Sequence, residues 1–596
     1  MKKTFQVFLS FLAALSLTLT LAGTAFADDG ARSYAEADAD IDSVDASACA
    51  WGEASAMAEA KITGGDDDYD YDGDGSNALS NADATAKWGG YAEADADADV
   101  KWGGDGSAIA TADADADKGG TAKAEADAEV TKGGEGDADA FADAEASTGG
   151  YAKADADAEV TKGGEGDAIA SAEVTADKGG TAKGYVEAEV SKGGEGDATA
   201  AAVVDATKGG YARAEVDAEV TEGGEGDADA SANVSANDAY AKAEVEAEVE
   251  DGEGDATASA NVDAAKGGYA KAEVEAEVED GGEGDATASA NVDATKGGYA
   301  KAEVDAEVSK GGEGDATASA DVSADKGGTA KAYVEAEVTK GGEGDATASA
   351  DVSADKGGYA KAEVDAEVTK GGEGDATAMA DVDSSKGSYA KVEVEAEVKW
   401  GGEGDATAIG KAYADNDSWA DGDIFATVQG DGDATAKGTS IAIDDAAALT
   451  DATSTVAVYS DNESARTGAE SVAIAVGPSA WANAETTALI TADSGNAVNS
   501  NFAGATAIAA GADSTATSTS SAITDGAWSA PVAAEVTYVY DWQPMVGYAI
   551  SIVYILSDGS QYAITFTYAY EGQTVDAEAA VTNGVIGTQT AVINPP

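Results

Sequence analysis

The stretch GGEGDATASADVSADKGGYAKAEVDAEVTK, residues 341–370, decides the fold of this chain. Ala or Val occupies every second position from 346 to 354 and again from 360 to 368, and most residues between them are charged or hydroxylated. Such alternation is typical of half-buried β-strands, because successive strand side chains point to opposite faces. A helix would scatter the same residues around its axis. Each copy of the stretch is therefore predicted to form two strands.

Nearly the same sequence recurs along most of the chain. Successive GGEGD-type starts lie 30 residues apart, except for one step of 28 residues from 223 to 251. A fixed period in this range indicates stacked supersecondary units. Looser copies begin at Tyr34 and Tyr91. The starts are Gly103, Gly133, Gly163, Gly193, Gly223, Asp251, Gly281, Gly311, Gly341, Gly371 and Gly401.

Two all-β architectures fit this repeat. In an elongated β-solenoid of 30-residue two-strand units, each coil packs its two Ala/Val faces together and equivalent residues stack about 4.8 Å apart. Glu313 would then lie over Glu343, at a cost of roughly 0.8 kcal/mol per like-charged contact even in the dielectric of water. In an antiparallel β-meander, KGG would close a hairpin and Ala354 would face Ala360; the 28-residue unit suits this arrangement, since both of its loops would keep two residues. The solenoid is preferred because it buries its core within one chain.

The composition limits the classes of partner. The chain has 115 acidic and 34 basic residues, which gives a formal net charge of -81. Low hydrophobicity with high charge is a signature of disorder, but disorder does not require the alternation seen here. Such a chain repels nucleic acid and anionic membranes, so divalent cations, self-association or cell-surface components are the expected partners. Histidine is absent and Cys49 is the only cysteine, which excludes His-based catalytic sites and an internal disulfide.

The first residues predict export. Lys2 and Lys3 precede an apolar run, and Ala25-Phe26-Ala27 matches the small-x-small pattern of signal peptidase cleavage. We expect cleavage after Ala27, a secreted, extracellular or cell-surface location, and no transmembrane segment in the processed chain.

Changes in composition divide the chain into five predicted regions. Acidity falls after about residue 410, and aromatic, β-branched runs appear near the end, two of them joined by the hairpin signal Ser557-Asp558-Gly559-Ser560. The regions are a signal peptide (1–27), an N-terminal acidic β region (28–102), tandem β repeats (103–410), an Ala/Ser/Thr-rich β-coil region (411–532) and a C-terminal aromatic β-hairpin region (533–596).

The N-terminal acidic region contains the sharpest metal motif, DDDYDYDGDGSNAL at 66–79. Its D-x-D-x-D-G core resembles the opening of a calcium loop, in which closely spaced carboxylates converge on one hard cation. Leu79 stands where an EF-hand has its bidentate Glu, so the EF-hand fold itself is not expected. A solvated acidic turn is the alternative to calcium binding. The predicted calcium ligands are Asp68, Asp70, Asp72, Asp74 and Ser76.

The repeats themselves carry weaker candidates. Asp345, Asp351, Glu363, Asp365 and Glu367 are predicted to form an anionic face that is either simply solvated or gathers cations diffusely. Tyrosines that open the second strand of many repeats predict a broken stripe, suited to edge packing or to contact with a carbohydrate or a partner. The tyrosines are Tyr151, Tyr211, Tyr269, Tyr299, Tyr359 and Tyr389.

Two later segments resemble a known family. ESVAIAVGPSAWA at 470–482 and GATAIAAGADSTA at 504–516 are similar to the head repeats of YadA-type trimeric autotransporter adhesins, whose short coils carry an S-V-A-I-G-like core followed by S-x-A. Ala475 stands where that pattern usually has Gly. The resemblance implies a β-solenoid head with an adhesive surface role. The family's membrane anchor is not recognisable, since the sequence ends in TAVINPP.

These features predict a secreted cell-surface or extracellular structural scaffold, such as an adhesin, matrix or filament component, with an acidic, cation-binding repeat surface. The alternative is a protein that binds a mineral or ice lattice through its repetitive flat β face. Paired carboxylates are repeated rather than singular, whereas an active site is singular, so an enzyme is not expected.

Overall fold

The computed structural model describes strands from Gly23 onward, and side chains mainly between residues 78 and 519. The described ranges are 23–27, 32–39, 42–51, 55–64, 78–87, 89–101, 107–131, 136–161, 165–191, 195–221, 225–238, 240–279, 283–309, 313–339, 343–369, 373–386, 389–399, 403–416, 418–429, 432–443, 447–458, 466–476, 480–492, 499–510, 515–525, 529–540, 547–555, 561–569, 574–578, 581–582, 585–586 and 589–594.

The chain divides into two compact units, Met1–Ala276 and Glu277–Pro596, and the division falls within β18. The strands up to that point are β1 (Gly23–Ala27), β2 (Arg32–Ala39), β3 (Asp42–Trp51), β4 (Ser55–Gly64), β5 (Ala78–Lys87), β6 (Tyr91–Lys101), β7 (Ala108–Ala116), β8 (Thr121–Thr131), β9 (Ala138–Ala146), β10 (Tyr151–Thr161), β11 (Ala168–Ala176), β12 (Thr181–Ser191), β13 (Ala198–Ala206), β14 (Tyr211–Thr221), β15 (Ala228–Asn237), β16 (Tyr240–Glu250), β17 (Ala256–Ala265) and β18 (Tyr269–Glu279).

The second unit continues the strand pattern to the end of the described residues. Its further strands are β19 (Ala286–Ala294), β20 (Tyr299–Val308), β21 (Ala316–Ala324), β22 (Thr329–Val338), β23 (Ala346–Ala354), β24 (Tyr359–Val368), β25 (Ala376–Ser384), β26 (Tyr389–Val398), β27 (Ala406–Asp415), β28 (Trp419–Gln429), β29 (Asp433–Ile443), β30 (Ala447–Val458), β31 (Arg466–Val476), β32 (Trp481–Ala492), β33 (Asn499–Ala510), β34 (Thr515–Asp525), β35 (Ser529–Tyr540), β36 (Gly547–Ile555), β37 (Gln561–Ala569), β38 (Thr574–Glu578), β39 (Val581–Thr582), β40 (Val585–Ile586) and β41 (Gln589–Asn594).

In the first unit, strands two apart in sequence pair in parallel. The odd-numbered strands β1 to β17 form one sheet, sheet A, and the even-numbered strands β2 to β16 form a second, sheet B. One coil is thus a sheet A strand, a corner, a sheet B strand and a second corner. Equivalent residues of successive coils stack, so that Ala152 pairs with Ala122 on one side and Ala182 on the other.

The second unit has the same parallel pairing from β19 to β35 in sheet A and from β20 to β34 in sheet B. Glu343 is bridged to Glu313 and Glu373, as the solenoid predicts. The β-solenoid is therefore confirmed and the meander is wrong for these repeats. Strands adjacent in sequence lie in different sheets, so Ala354 and Ala360 flank a corner between sheets and not a hairpin.

The 28-residue unit fits the solenoid by losing one residue at each corner. In sheet B, Tyr240 pairs with Tyr211, 29 residues earlier. In sheet A, Ala256 pairs with Ala228, 28 residues earlier. The strands keep their register because both deletions fall in the corners, where loop length can change without turning a strand face over.

The core consists mainly of Ala and Val side chains that face each other across the two sheets. The predicted inward residues of the 341–370 coil are buried, with exposures between 0% and 6%. Where a larger side chain enters, glycine compensates for it. Ile424, the largest fully buried side chain among the described residues, faces Gly410, and a Cβ at Gly410 would lie 2.8 Å from Ile424 Cγ1 and 2.7 Å from Val392 Cγ1.

The corners are close-packed turns of backbone against backbone. At the KGG corner, Lys356 has a φ of 62°, and a Cβ on Gly358 would lie 2.6 Å from the carbonyl oxygen of Gly328. At the GGEGD corner, a Cβ on Gly344 would overlap the carbonyl oxygen of Gly314. Glycine allows this approach, which explains why glycine recurs at these two corners in most coils.

The C-terminal strands end the parallel stack. β36 pairs antiparallel with β35 and with β37, as expected for the predicted hairpin, and β41 pairs antiparallel with β34. Both sheets of the last coil thus meet an antiparallel strand. Strands β27 and β35 run across the predicted region boundaries at 410/411 and 532/533.

Among the described residues, no helix is both long and apolar enough to cross a membrane.

Candidate functional site

Besides the tyrosine stripe, the outer face of sheet B carries four side-chain columns that run along the coil stack. Each column contains one residue per coil, and the in-register pairing places equivalent residues beside each other. In unit 2 we name them the lysine column (Lys301, Lys331, Lys361, Lys391), the paired column (Glu303, Tyr333, Glu363, Glu393), the middle column (Asp305, Glu335, Asp365, Glu395) and the glutamate column (Glu307, Glu337, Glu367, Glu397).

The lysine column neutralises the paired column. Lys361 Nζ lies 2.7 Å from Glu363 and 2.9 Å from Glu393 in the next coil. Burial raises the pKa of Glu393, but hydrogen bonds from Lys391 and Lys361 outweigh it, so this pKa lies below its usual value. The lysines therefore compensate charge within the stack, as expected for opposite charges on neighbouring strands.

The middle column is crowded by like charges. Burial raises the pKa of Asp365 to about 7, and the charges of Glu395, Glu335 and Glu367 add to the effect. In unit 1, burial and neighbouring carboxylates likewise raise the pKa values of Asp157 and Asp217 to about 7. Crowded, half-buried carboxylates favour the uptake of positive charge, either as protons or as cations.

Three carboxylates converge beside this surface. Glu277, Glu279 and Glu307 each offer an oxygen, and these oxygens lie within 4.8 Å of one another. All three side chains are half-buried. Oxygen ligands at this separation suit a hard cation such as calcium.

Asp345 has a structural role that the sequence did not reveal. Its carboxylate accepts a hydrogen bond from the backbone N–H of Asp375 at 2.9 Å, and its own N–H donates to Asp315 at 2.9 Å. The same ladder runs from Asp137 to Asp255 in unit 1. Each aspartate thus caps the corner of the following coil. In the sequence, the only sign of this role is that Asp recurs at a fixed position after the glycines.

The tyrosine stripe is a stack of rings. Tyr359 and Tyr389 lie 5.2 Å apart with an interplanar angle of 1°, and Tyr211, Tyr240 and Tyr269 stack at 5.0 and 4.9 Å. The predicted stripe omitted Tyr240, which lies in the 28-residue unit and belongs to this stack. The ring faces cover one another, which favours packing over carbohydrate stacking on an open ring face.

One coil shows how the columns compensate for each other. Thr329 interrupts the tyrosine stripe, and the same strand has Tyr333 in place of the paired glutamate. Lys331 then lies over Tyr299 at 5.8 Å and over Tyr359 at 5.6 Å. The cation–π contacts take the place of the missing carboxylate partner on its own strand.

The predicted calcium loop lies outside the described residues. Asp68, Asp70, Asp72, Asp74 and Ser76 all fall within 65–77, so calcium binding there stays a prediction.

No family model, curated protein or solved structure matches this chain. The two segments that resemble adhesin head repeats stack on each other in sheet A, with Ile474 beside Ile508. The resemblance itself remains a prediction.

Proposed function

We propose that this protein is a secreted scaffold at the cell surface or in the extracellular matrix, with an acidic repeat face that gathers cations. The middle and glutamate columns support this proposal, because they repeat an acidic side chain in register from coil to coil. A scaffold needs a regular surface of adjustable length, whereas catalysis needs a singular site. The Ala/Val core and the glycine corners supply such regularity, since one coil can follow another without a change in register.

The scaffold role predicts that whole coils can be removed without loss of function. Deleting residues 316–375 joins Asp315 to Ala376, which has the same place in its coil as Ala316. Deleting 316–390 instead joins Asp315 to Lys391 and turns the following strand over, so that Lys391 takes the inward position of Ala316. In a gene-deletion strain, we expect the first variant to restore adhesion or biofilm formation and the second to fail.

The measurement is surface adhesion of the deletion strain and of both complemented strains, with circular dichroism of the purified variants as a check on folding. Normal adhesion by the uncomplemented deletion strain would contradict the scaffold role. Failure of both variants, with the first still fully folded, would show that length and not coil integrity limits function.

Export predicts a mature N-terminus at Asp28. N-terminal sequencing of the protein from culture medium should begin Asp-Asp-Gly, and Ala25→Leu/Ala27→Leu should abolish this cleavage because signal peptidase requires small residues there. Ala14→Leu, within the apolar run, is the matched control and should be processed normally. Detection of only full-length, cell-retained protein would argue against secretion.

A lattice-binding role is favoured by a second observation. On the outer face of sheet A, Thr287, Thr317, Thr347, Thr377 and Thr407 form one in-register column. Their spacing along the stack, about 4.8 Å, is that of paired strands. Altered growth of calcium mineral or ice in the presence of the purified chain would support this role, and unaltered growth of both would remove it.

A further inference from the structure

The outer face of sheet A changes in character toward the C-terminal end of unit 2. In the repeats this face carries hydroxyl and acidic residues, as at Thr347, Ser349 and Asp351. From β33 onward, the pairing register places four uncharged, mostly large apolar residues of each strand on the same face. We call this set the apolar grid; it consists of every second residue, counted from the first, of 502–508 in β33, 532–538 in β35, 548–554 in β36 and 562–568 in β37.

The core side of the same strands has the smaller and more polar residues. Ala505 of β33 is 1% exposed and marks the core side. The register aligns it with Glu535, Ser551 and Thr565 on the three strands that follow. A sheet that faces water usually has its large apolar residues on the core side and its polar residues outside. This end of sheet A has the reverse distribution, which indicates that its outer face is covered in the assembled protein.

The strands that the structure describes do not supply this cover. β41 pairs with β34, and β38 pairs with β41, so both belong to sheet B, which lies on the core side. β39 and β40 have two residues each, too few to cover four strands. Phe502, whose side chain lies on the grid, is 43% exposed. The cover must therefore come from outside these strands.

The area of the grid fits a second copy of the chain. Each residue on a strand face occupies about 4.8 Å by 6.6 Å of sheet, so the grid covers roughly 500 Å². Two copies packed face to face would bury roughly 1,000 Å² in total, which is the size that a specific protein interface requires. Ile474, which pairs with Ile508 from the preceding strand of sheet A, extends this surface further.

The distribution of charge also favours a second copy as the occupant. The grid contains no charged residue, whereas the whole chain has a formal net charge of -81. Two copies repel each other wherever their acidic surfaces approach, so they meet at the lowest electrostatic cost at an uncharged face. The same net charge opposes contact with an anionic membrane.

We propose that two copies of this chain associate through the apolar grid, with the two sheets packed face to face about 10 Å apart. Each copy contributes the same surface, so the contact is two-fold symmetric and the association ends at a dimer. The proposal follows from this face alone and does not depend on the scaffold role, to which it would add a means of joining copies.

The test is sedimentation equilibrium of the full chain in buffer that contains EDTA. We expect the mass of two chains, because an apolar contact needs no cation. Additional NaCl should strengthen the dimer, since it screens the repulsion between the acidic surfaces of the two copies. Phe502→Glu should weaken the dimer by at least about tenfold, because it places a charge within an apolar interface.

A second variant and a matched control accompany this measurement. Ile564→Glu places the same charge on β37, at the other side of the grid, and should weaken the dimer similarly. Met379→Glu is the control, because Met379 is 40% exposed on the outer face of sheet A but lies outside the grid. It should dimerise as the wild type does, and circular dichroism of all three variants would verify that they fold.

A wild type with a mass other than that of two chains would overturn the proposal. Equal association of the wild type, Phe502→Glu and Ile564→Glu would also overturn it, since the copies would then meet through another surface. A monomeric wild type that binds phosphatidylcholine vesicles would assign the grid to a lipid surface instead. None of these results would bear on cation binding by the acidic columns of sheet B.

Discussion

Acidification from pH 8 to pH 5 in calcium-free buffer is expected to raise the thermal unfolding midpoint by roughly 5–10 °C. The cause is the set of carboxyls that crowd the outer face of sheet B. Burial, reinforced by neighbouring carboxylates, raises the pKa values of Asp157, Asp217, Glu219 and Asp365 to about 7.

The direction follows from proton linkage. The same carboxyls have pKa values near 4 in the unfolded chain, so between about pH 4 and pH 7 the folded chain binds more protons. Their stabilisation is complete below the unfolded pKa and is lost as the pH rises through the folded value of about 7. Glu244 and Glu393 act oppositely, because hydrogen bonds from basic side chains outweigh burial and lower their pKa values. Their contribution is lost as the pH falls below about 4, which places the maximum of stability near pH 4–5.

Circular dichroism melts between pH 4 and pH 8 at constant ionic strength would test this expectation. Asp365→Asn removes one crowded carboxyl, so it should raise the midpoint at pH 8 and change it little at pH 5. Glu343→Gln, which removes the same charge from an exposed corner, should change it little at either pH. A midpoint that is constant or rises from pH 5 to pH 8 in the wild type would show that the columns do not limit stability.

The sequence was sufficient for the strands and their inward faces, because alternation at every second residue is a local property. The repeat alone favours the solenoid without excluding the meander, since Ala and Val also lie opposite one another in the meander, on one face of a single sheet. The choice depends on how the chain closes at Gly344 and Gly358, where neighbouring coils approach too closely for any Cβ. These contacts are between residues 30 positions apart in the sequence, so no local sequence pattern predicts them.

The candidate site was predictable only in its chemistry. The acidic face around Asp365 and Glu367 follows directly from the repeat text. The burial of the hydroxyls that follow the sheet B strands was not anticipated, because Thr369 follows the second strand at the edge of a glycine corner, where a turn is expected. A signal was present, since Ser or Thr recurs at this position in most repeats, but only the stacking of coils shows that it is buried beside a carboxylate.

Gly410→Ala is expected to lower the free energy of unfolding by about 1–3 kcal/mol, the usual cost of overfilling a packed core. Gly410 pairs with Ala380 in the preceding coil, where alanine is tolerated. The coils differ in the side chains that face this position from sheet B. Val392 and Ile424 occupy the positions that Ala362 and Val394 hold in the preceding coils. The added Cβ would lie within 2.8 Å of both larger side chains.

Restoring the standard residues should therefore rescue the variant. Val392→Ala/Ile424→Val alone leaves a cavity opposite Gly410 and should destabilise the chain by about 2 kcal/mol. Combined with Gly410→Ala, it recreates the standard coil, and we expect near wild-type stability. The test is the sign of the coupling free energy between Gly410→Ala and the double substitution, because independent sites would add their losses of stability.

Urea unfolding followed by circular dichroism would measure all three variants. Gly468→Ala is the matched control: this glycine also lies within a strand, but a Cβ there meets no atom within 4 Å. It should be neutral or stabilise the chain by up to about 1 kcal/mol, because glycine within a strand loses more entropy on folding than alanine does. A combined variant that is less stable than either of its parts would mean that Gly410 and the two larger side chains do not compensate for each other.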